Sequence, residues 1–313
     1  MNALILTDYK TIEKSLNICY QFALKANDIV ANIIVDNSDE HLGYKYILQK
    51  KLTFQKETFL KKDVYVFKYC GLDLVLIDNN CNAGYAKGNN LGASYAKKYY
   101  ESQYYIFSNN DLDFLEEIDL KSIEVLFKKY DEIGIIGTNV LYKGLSRQNP
   151  RINRSIISQM ILGDFNNRWF HCKFNRYLNS LDQNPKEGKT GWVTGCFIIV
   201  NAEKFSEIGG FDEKTFLYAE EMIISKKMEK KGYITYYYPK ITIIHNHQGV
   251  DSRKMRVILH NSMKYYYREY EKVNVGLIIG ADISFLITEV GYFIYHDIFK
   301  RGIINIIHKL NLI

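Results

Sequence analysis

Proline is scarce, with three residues in 313, while 47% of the chain is hydrophobic. A chain so poor in breakers and so rich in apolar material is not disordered over most of its length, and it is long enough for one large α/β domain or two small ones. Cysteine is sparse too: Cys19, Cys70, Cys81, Cys172 and Cys196 show no C-x-x-C spacing. An odd, scattered set excludes a disulfide framework and a zinc cluster, and reads as reduced thiols of a cytoplasmic protein. The opening MNALILTDYKTIEKS lacks a basic leader and its apolar run is short for a signal peptide, so export is not expected. An excess of one charge is nearly absent: 41 basic and 35 acidic residues leave +6. That is mild for a nucleic-acid binder, and no nucleic-acid partner is expected. Neither a Walker G-x-x-x-x-G-K-[ST] loop nor a Rossmann G-x-G-x-x-G fingerprint occurs, which sets P-loop and dehydrogenase chemistry aside.

What is present is alternation. Short β-branched apolar runs at 3–7, 29–35, 74–77, 104–108 and 133–138 alternate with amphipathic ones at 12–26, 90–99 and 118–130. This is the pattern of βαβ units in a mostly parallel sheet. The stretch 142–190 is polar and rich in Asn and Arg, and reads as a long loop with short helices. Strand character returns at 192–200, 234–238 and 241–245, with helices expected at 202–208 and 216–231. The 26 tyrosines suit sugar stacking without deciding for it.

Four clusters carry residues suited to chemistry. Asn109-Asn110-Asp111-Leu112-Asp113 follows a strand. Carboxylates at alternate positions of an extended turn can hold a hard divalent cation; the other reading is an Asx-rich turn capping the next helix. The loop from Asn79 to Gly92, with Asn82, Gly84, Lys87 and Asn90, offers amides, a lysine and backbone N–H groups to a diphosphate, although a turn plus N-cap accounts for much of it. Gly195-Cys196, then Gly209-Gly210-Phe211-Asp212-Glu213, lead to Glu220-Glu221 in the first turn of a helix, where acidic pairs are also ordinary partners of the macrodipole. His245-Asn246-His247 follows a strand; one imidazole can complete a metal site, or the pair belongs to a polar loop. Trp192, just ahead of Gly195, can stack on an acceptor sugar or begin a core strand.

In this order the clusters resemble family 2 glycosyltransferases, the inverting nucleotide-sugar enzymes, over residues 3 to 251. The family's first strand and following aspartate match 3–7 and Val35-Asp36-Asn37-Ser38, and its N-x-G-x-x-x-G-x-N loop matches Asn82 to Asn90. Its N-x-D metal motif matches Asn109-Asn110-Asp111, its G-G-F-D-E segment and aromatic-acidic helix start match 209–213 and 216–221, and its late histidine matches His245. The subgroup is similar to the rhamnosyl-, galactosyl- or galactofuranosyl-type transferases of bacterial surface polysaccharide. The resemblance implies an α/β, GT-A (nucleotide-diphospho-sugar transferase) fold with a mostly parallel central sheet. It implies Glu221, beside Glu220, as general base. Thr7, Asp36, Asn82, Gly84, Lys87, Asn90 and Asn110 would surround the nucleoside-diphosphate sugar. Asp111, Asp113 and His245 would hold Mg²⁺ or Mn²⁺, with Gly195 and Trp192 toward the acceptor. The acidic pair departs from the family's Glu-Asp, since Glu221 reaches one methylene further and Met222-Ile223 follow it.

The implied activity is sugar transfer with inversion to a glycan or lipid-linked saccharide. The altered acidic helix keeps a second reading in view, a non-catalytic nucleotide-sugar-binding or scaffold protein of an assembly complex. The expected domains are a catalytic one at 1–250, with a nucleotide-sugar half near 1–140 and an acceptor half near 141–250, and a helical extension at 251–313. From Arg253 onward nine basic residues face five acidic ones, 9 − 5 = +4, so this tail holds most of the chain's excess charge. Its apolar run from Val273 to Phe299 carries Asp282, Glu289 and Asp297. Charges near the centre of a spanning helix are costly, so the expectation is an interfacial helix pair with Lys300, Arg301 and Lys309 near anionic headgroups, peripheral on the inner face of the cell membrane. The alternative is a helical subdomain or a homodimer contact.

Overall fold

The computed structural model describes residues 2–162, 180–246 and 252–295. The interior of the polar stretch with Cys172, the continuation of the histidine loop with His247, and the tail with Asp297, Lys300, Arg301 and Lys309 lie outside the described residues. The chain divides into two compact units, Met1–Ile152 with Asp182–Ile258, and Asn153–Leu181 with Leu259–Ile313. Part of the polar stretch therefore groups with the C-terminal helices, although the sequence placed it in the acceptor half.

The first unit is built on one sheet. Its strands are β1 (Asn2–Asp8), β2 (Val30–Asp36), β3 (Phe54–Phe59), β4 (Lys62–Tyr69), β5 (Leu72–Asp78), β6 (Tyr104–Ser108), β7 (Leu112–Phe114), β8 (Ile133–Tyr142), β9 (Ser146–Arg147), β10 (Gly188–Thr190), β11 (Phe197–Asn201) and β12 (Ile234–His245). They run in the order β10-β12-β8-β11-β6-β1-β2-β5-β4-β3, with β7 on β12 and β9 on β8. The centre β6-β1-β2-β5 is parallel, as is the pair β8–β12. Strand β11 runs antiparallel between β6 and β8, and the antiparallel β3–β4 hairpin forms the far edge.

The central strands are continuous apolar runs because both of their faces are covered. Along β1, Leu4 and Leu6 join one core with Leu16, Phe22 and Ile123, whereas Ala3 and Ile5 join the other with Ala93, Ala96, Phe205 and Ile224. The first core packs α1 (Ile12–Lys25) and α4 (Leu120–Lys129); the second packs α3 (Tyr85–Tyr100), α5 (Ala202–Glu207) and α6 (Glu220–Lys230). Helix α2 (Leu42–Gln49) and the β3–β4 hairpin escaped the sequence reading, since the edge strand FQKETF is too polar to show a strand signal. The two short strands expected around Pro239 are one strand, β12, in which a register shift between Tyr238 and Thr242 absorbs the proline.

The glycines of the Asn-Gly loop are explained by packing. Helix α3 starts at Tyr85, inside the loop motif, with Gly84 as its N-cap at φ 86°. A Cβ on Gly84 would come within 2.5 Å of the Phe216 carbonyl oxygen, and one on Gly88 within 2.5 Å of the Thr7 methyl. Helix α3 thus lies directly on the end of β1. Gly84→Ala should lower stability by roughly 2–5 kcal/mol, combining backbone strain with steric overlap, read as a drop in the urea midpoint at unchanged slope.

The second unit contains the C-terminal part of α7 (Arg253–Glu269), α8 (Val275–Phe293) and a π turn at Ile157–Ile161. By length and composition α8 can cross a membrane.

Candidate active site

Three neighbouring parallel strands end in register on carboxylates: Asp8 of β1 faces Asp36 of β2, which faces Asp78 of β5. All three are buried, and each is held by its own donors. Asp8 accepts from the Thr11 amide at 3.1 Å, the Thr11 hydroxyl at 2.8 Å and the Ser15 hydroxyl at 2.6 Å. Asp36 accepts from the Ser38 amide at 2.8 Å and the Gly43 amide at 2.6 Å, which fixes the turn after β2. Asp78 lies 2.6 Å from His41 Nδ1. Burial raises the Asp8 and Asp78 carboxyls above the ordinary range.

Asn110 closes this row against the next strand. Its Nδ2 lies 2.8 Å from the Thr11 and Ser15 hydroxyls and 3.1 Å from Asp8 Oδ1, so it anchors the end of β6 to β1 and sets where Asp111 begins. Asn82, on the loop before α3, and Lys87, in its first turn, are exposed, whereas Gly84 is buried. Asn90 is committed to the G-G-F-D-E segment: Oδ1 accepts from the Phe211 amide at 2.9 Å, and Nδ2 reaches the Phe211 carbonyl at 3.0 Å and Glu213 at 2.9 Å. Asn90→Ala should therefore destabilise the fold by about 2–3 kcal/mol, measured by thermal melting.

Asp111 and His245 come together because β7 pairs antiparallel with the end of β12, placing Leu112 opposite His245. Asp111 Oδ1 and His245 Nε2 are 3.3 Å apart. On its other side the imidazole donates Nδ1–H to Gln148 Oε1 at 2.9 Å, which points Nε2 toward Asp111. Burial opposes charging of this ring, yet hydrogen bonding to Asp111 and Cys196 prevails and lifts its pKa to about 10. Asp113 instead accepts from Asn246 Nδ2 at 2.6 Å. Among the described residues no group of three or more His, Cys, Asp or Glu converges to hold a metal by protein ligands alone. A carboxylate and an oriented imidazole fit Mg²⁺ or Mn²⁺ where diphosphate oxygens and water complete the coordination.

The acidic pair stands on a strained start of α6. Tyr218 and Ala219 both adopt left-handed backbone, φ 73° and 65°, so the helix begins at Glu220 rather than at 216 as the sequence suggested. Among the described residues Glu220 Oε2 and Glu221 Oε2 are buried without a hydrogen-bond partner. A Cβ added to Gly195 would lie 3.9 Å from Glu221 Oε2 and 4.0 Å from the Tyr85 hydroxyl, which donates to the Gly195 carbonyl at 2.9 Å. Burial raises both glutamates, and the charge of Glu221 raises Glu220 further; a backbone hydrogen bond and the Arg151 charge restrain Glu221. The pair thus accommodates one negative charge better than two, and Arg151 directs it to Glu221.

Sequence reasoning had missed Arg151. It donates from Nε to the Gln148 carbonyl at 2.6 Å, and its guanidinium lies 5.6 Å from the centre of the Trp192 ring. Trp192 itself is 7% exposed, with backbone hydrogen bonds to Arg151 in both directions. Cys196 borders both groups, as a hydrogen-bond partner of His245 and an electrostatic neighbour of Tyr85 and Arg151. One short loop ahead of β11 therefore adjoins the Asp111–His245 pair and the glutamate pair together.

No protein-family model matches the chain. A stretch of 101 residues is 32% identical to an N-acetylglucosaminyl-diphospho-decaprenol L-rhamnosyltransferase of Mycobacterium tuberculosis, covering 32% of this chain and 32% of that protein. The chain thus matches about a third of that relative's length. Over 238 residues it is 24% identical to rhamnosyltransferase WbbL of Escherichia coli K12, covering 74% of this chain and 84% of that one. Its structure matches a mannosyltransferase from Pyrobaculum calidifontis, solved with GDP-Man and Mn²⁺, at TM-score 0.52 and 8% identity over 100% of this chain and 80% of that one. It also matches GalNAc-T7, solved with UDP, GalNAc and Mn²⁺, at TM-score 0.54 and 13% identity over 95% of this chain and 58% of that one. At such identities the solved structures speak for the fold alone. The chain has the GT-A fold and is similar in sequence to bacterial family 2 rhamnosyltransferases.

Proposed function

We propose that this protein is an inverting glycosyltransferase that moves a hexosyl or deoxyhexosyl group from a nucleoside-diphosphate sugar to a glycan or lipid-linked saccharide in bacterial surface polysaccharide synthesis. The names of its relatives favour rhamnosyl transfer. The observation that carries this reading is the partner-seeking Glu221 carboxylate beside Gly195, whose neighbour Cys196 borders the Asp111–His245 pair.

In this reading the diphosphate lies beyond the ends of β1 and β6, where ligands of open α/β sheets bind. Asp36, Thr7 and the turn after β2 receive the nucleoside, and Asn110 holds the floor of the site. Gly84 and the first turn of α3 present backbone N–H groups, with Asn82 and Lys87 at the rim, toward phosphate. Asp111 and His245, with Asp113 behind them, would hold a divalent cation. When bound, it would supply charge neutralisation for the departing diphosphate. Glu221 accepts the proton of the acceptor hydroxyl as its oxygen attacks the anomeric carbon, and the glycosidic bond to the diphosphate breaks on the opposite face. Glu220 stays protonated beside it. Gly195 leaves room for the acceptor over Glu221, and Trp192 supports that side through Arg151. The reaction takes place in the cytoplasm, at the inner face of the membrane where lipid-linked acceptors reside.

Screening purified protein against UDP-, dTDP- and GDP-sugars with Mg²⁺ or Mn²⁺ tests this reading. It expects nucleoside diphosphate release with one donor class. Donor binding by calorimetry without release across the screen would favour the scaffold alternative.

A further inference from the structure

Helix α8 presents two unlike faces. One is packed within its own unit. Ile278, Ala281 and Thr288 are buried, the Ser284 hydroxyl donates to the Ile161 carbonyl at 2.6 Å, and a Cβ on Gly280 would sit 3.6 Å from Ile161. Gly280 and Ser284 thus lie on the side that meets the π turn at Ile157–Ile161. Small residues are what membrane helices use to associate, and these two are engaged inside the chain.

Among the described residues, the other face is uncovered. Ile279, Ile283, Leu286, Ile287, Val290 and Phe293 are 48–61% exposed, and at 100° per residue they fall within an arc of about 120°. About four turns of bulky apolar side chains on one side of a helix form a contiguous patch that calls for an occupant. The two carboxylates of α8, Asp282 and Glu289, lie seven residues apart at one edge of this arc. Asp282 is held there by α7, 2.8 Å from His260 Nε2 and 2.9 Å from Lys264 Nζ, and the His260 ring stacks on Phe285 at 4.2 Å.

We infer that α8 docks the protein on an anionic lipid surface, lying in the plane of the membrane with the Ile279–Phe293 face sunk among the acyl chains and the His260–Asp282–Lys264 cluster toward water. Spanning is disfavoured by that cluster, because α7 is tied to the middle of α8 and would carry Lys264 and His260 into hydrocarbon with it. Anionic lipid also suits the sequence that follows, where Lys300, Arg301 and Lys309 outnumber Asp297.

The test is co-sedimentation of the full chain with phosphatidylcholine vesicles, with and without phosphatidylglycerol, alongside the double variant Ile283→Glu/Ile287→Glu. Both substituted side chains are more than half exposed, so the variant should keep its circular dichroism and melting temperature. Leu145→Glu, at an 89% exposed apolar residue in the other unit, serves as control. The expected result is binding that strengthens with phosphatidylglycerol, falls about tenfold or more in the double variant and is unchanged in the control. Equal binding by wild type and double variant would overturn the proposal. So would a wild-type dimer in light scattering that the double variant dissociates, or wild-type protein that resists alkaline extraction as a spanning helix does. No donor or acceptor enters these measurements, so their outcome is separate from that of the glycosyltransfer reading.

Discussion

Glu221→Gln should lower turnover by ~10²–10⁴ while donor affinity stays close to that of the wild type. Glutamine keeps the size of the side chain and loses the proton acceptor, so the loss falls on kcat rather than on the donor KM. The same residue predicts a pH profile. Burial holds the Glu221 carboxyl above its ordinary range, and the base works only when ionised. Activity therefore rises with pH along a limb displaced above that of an exposed glutamate, and Glu221→Gln removes the limb. The stability consequence has the opposite sign. A carboxyl raised in the folded state binds its proton more tightly there than in the unfolded chain, so its contribution is present at low pH. That contribution is lost as pH climbs from the ordinary carboxylate range through the raised value. Glu221→Gln should thus melt at a higher temperature than wild type at alkaline pH and close to it in acid. A variant that is inactive and more stable is what a base buried for function produces, and pH-resolved melting curves check it.

Asp111→Asn carries the second large effect, a fall of ~10²–10³ in kcat/KM. The amide keeps the shape of the turn but removes the negative charge that would pair with a divalent cation. Chelation of wild-type protein should reproduce the loss, and added Mn²⁺ or Mg²⁺ should restore wild-type activity but not that of Asp111→Asn. Gln148→Ala, which frees the imidazole at Nδ1, should weaken the response to metal by about 10–100-fold, because His245 Nε2 would no longer be aimed at Asp111. Metal titrations of the three proteins at fixed donor check the ordering.

The elements that were legible in the sequence are those with local signals. Strands β1, β2 and β6 announce themselves as apolar runs that stop at Asp or Asn, and Asp111, Glu221 and His245 stand out through the order of the motifs. The site's supporting contacts were not legible, because they join residues far apart in the chain. Gln148 meets His245 across 97 positions, and the Tyr85 hydroxyl meets Gly195 across 110. Arg151 lay in a polar stretch of weak periodicity, and its hydrogen-bonded bridge to Trp192 places it on the side of Glu221. The contacts of Asn90 were hidden for the same reason: Phe211 and Glu213 are 121 and 123 positions away. The late start of α6 depends on left-handed backbone at Tyr218 and Ala219, which residue types so rarely adopting that conformation do not advertise.

The central claim is that Glu221 activates an acceptor for displacement of a nucleoside diphosphate. It is tested most directly by acceptor-dependent nucleoside diphosphate release, measured for wild type and Glu221→Gln at donor concentrations shown to saturate both proteins. The account predicts release by wild type that rises with acceptor, and release by the variant at least ~100-fold slower with the same donor saturation. Equal release by the two proteins would contradict it.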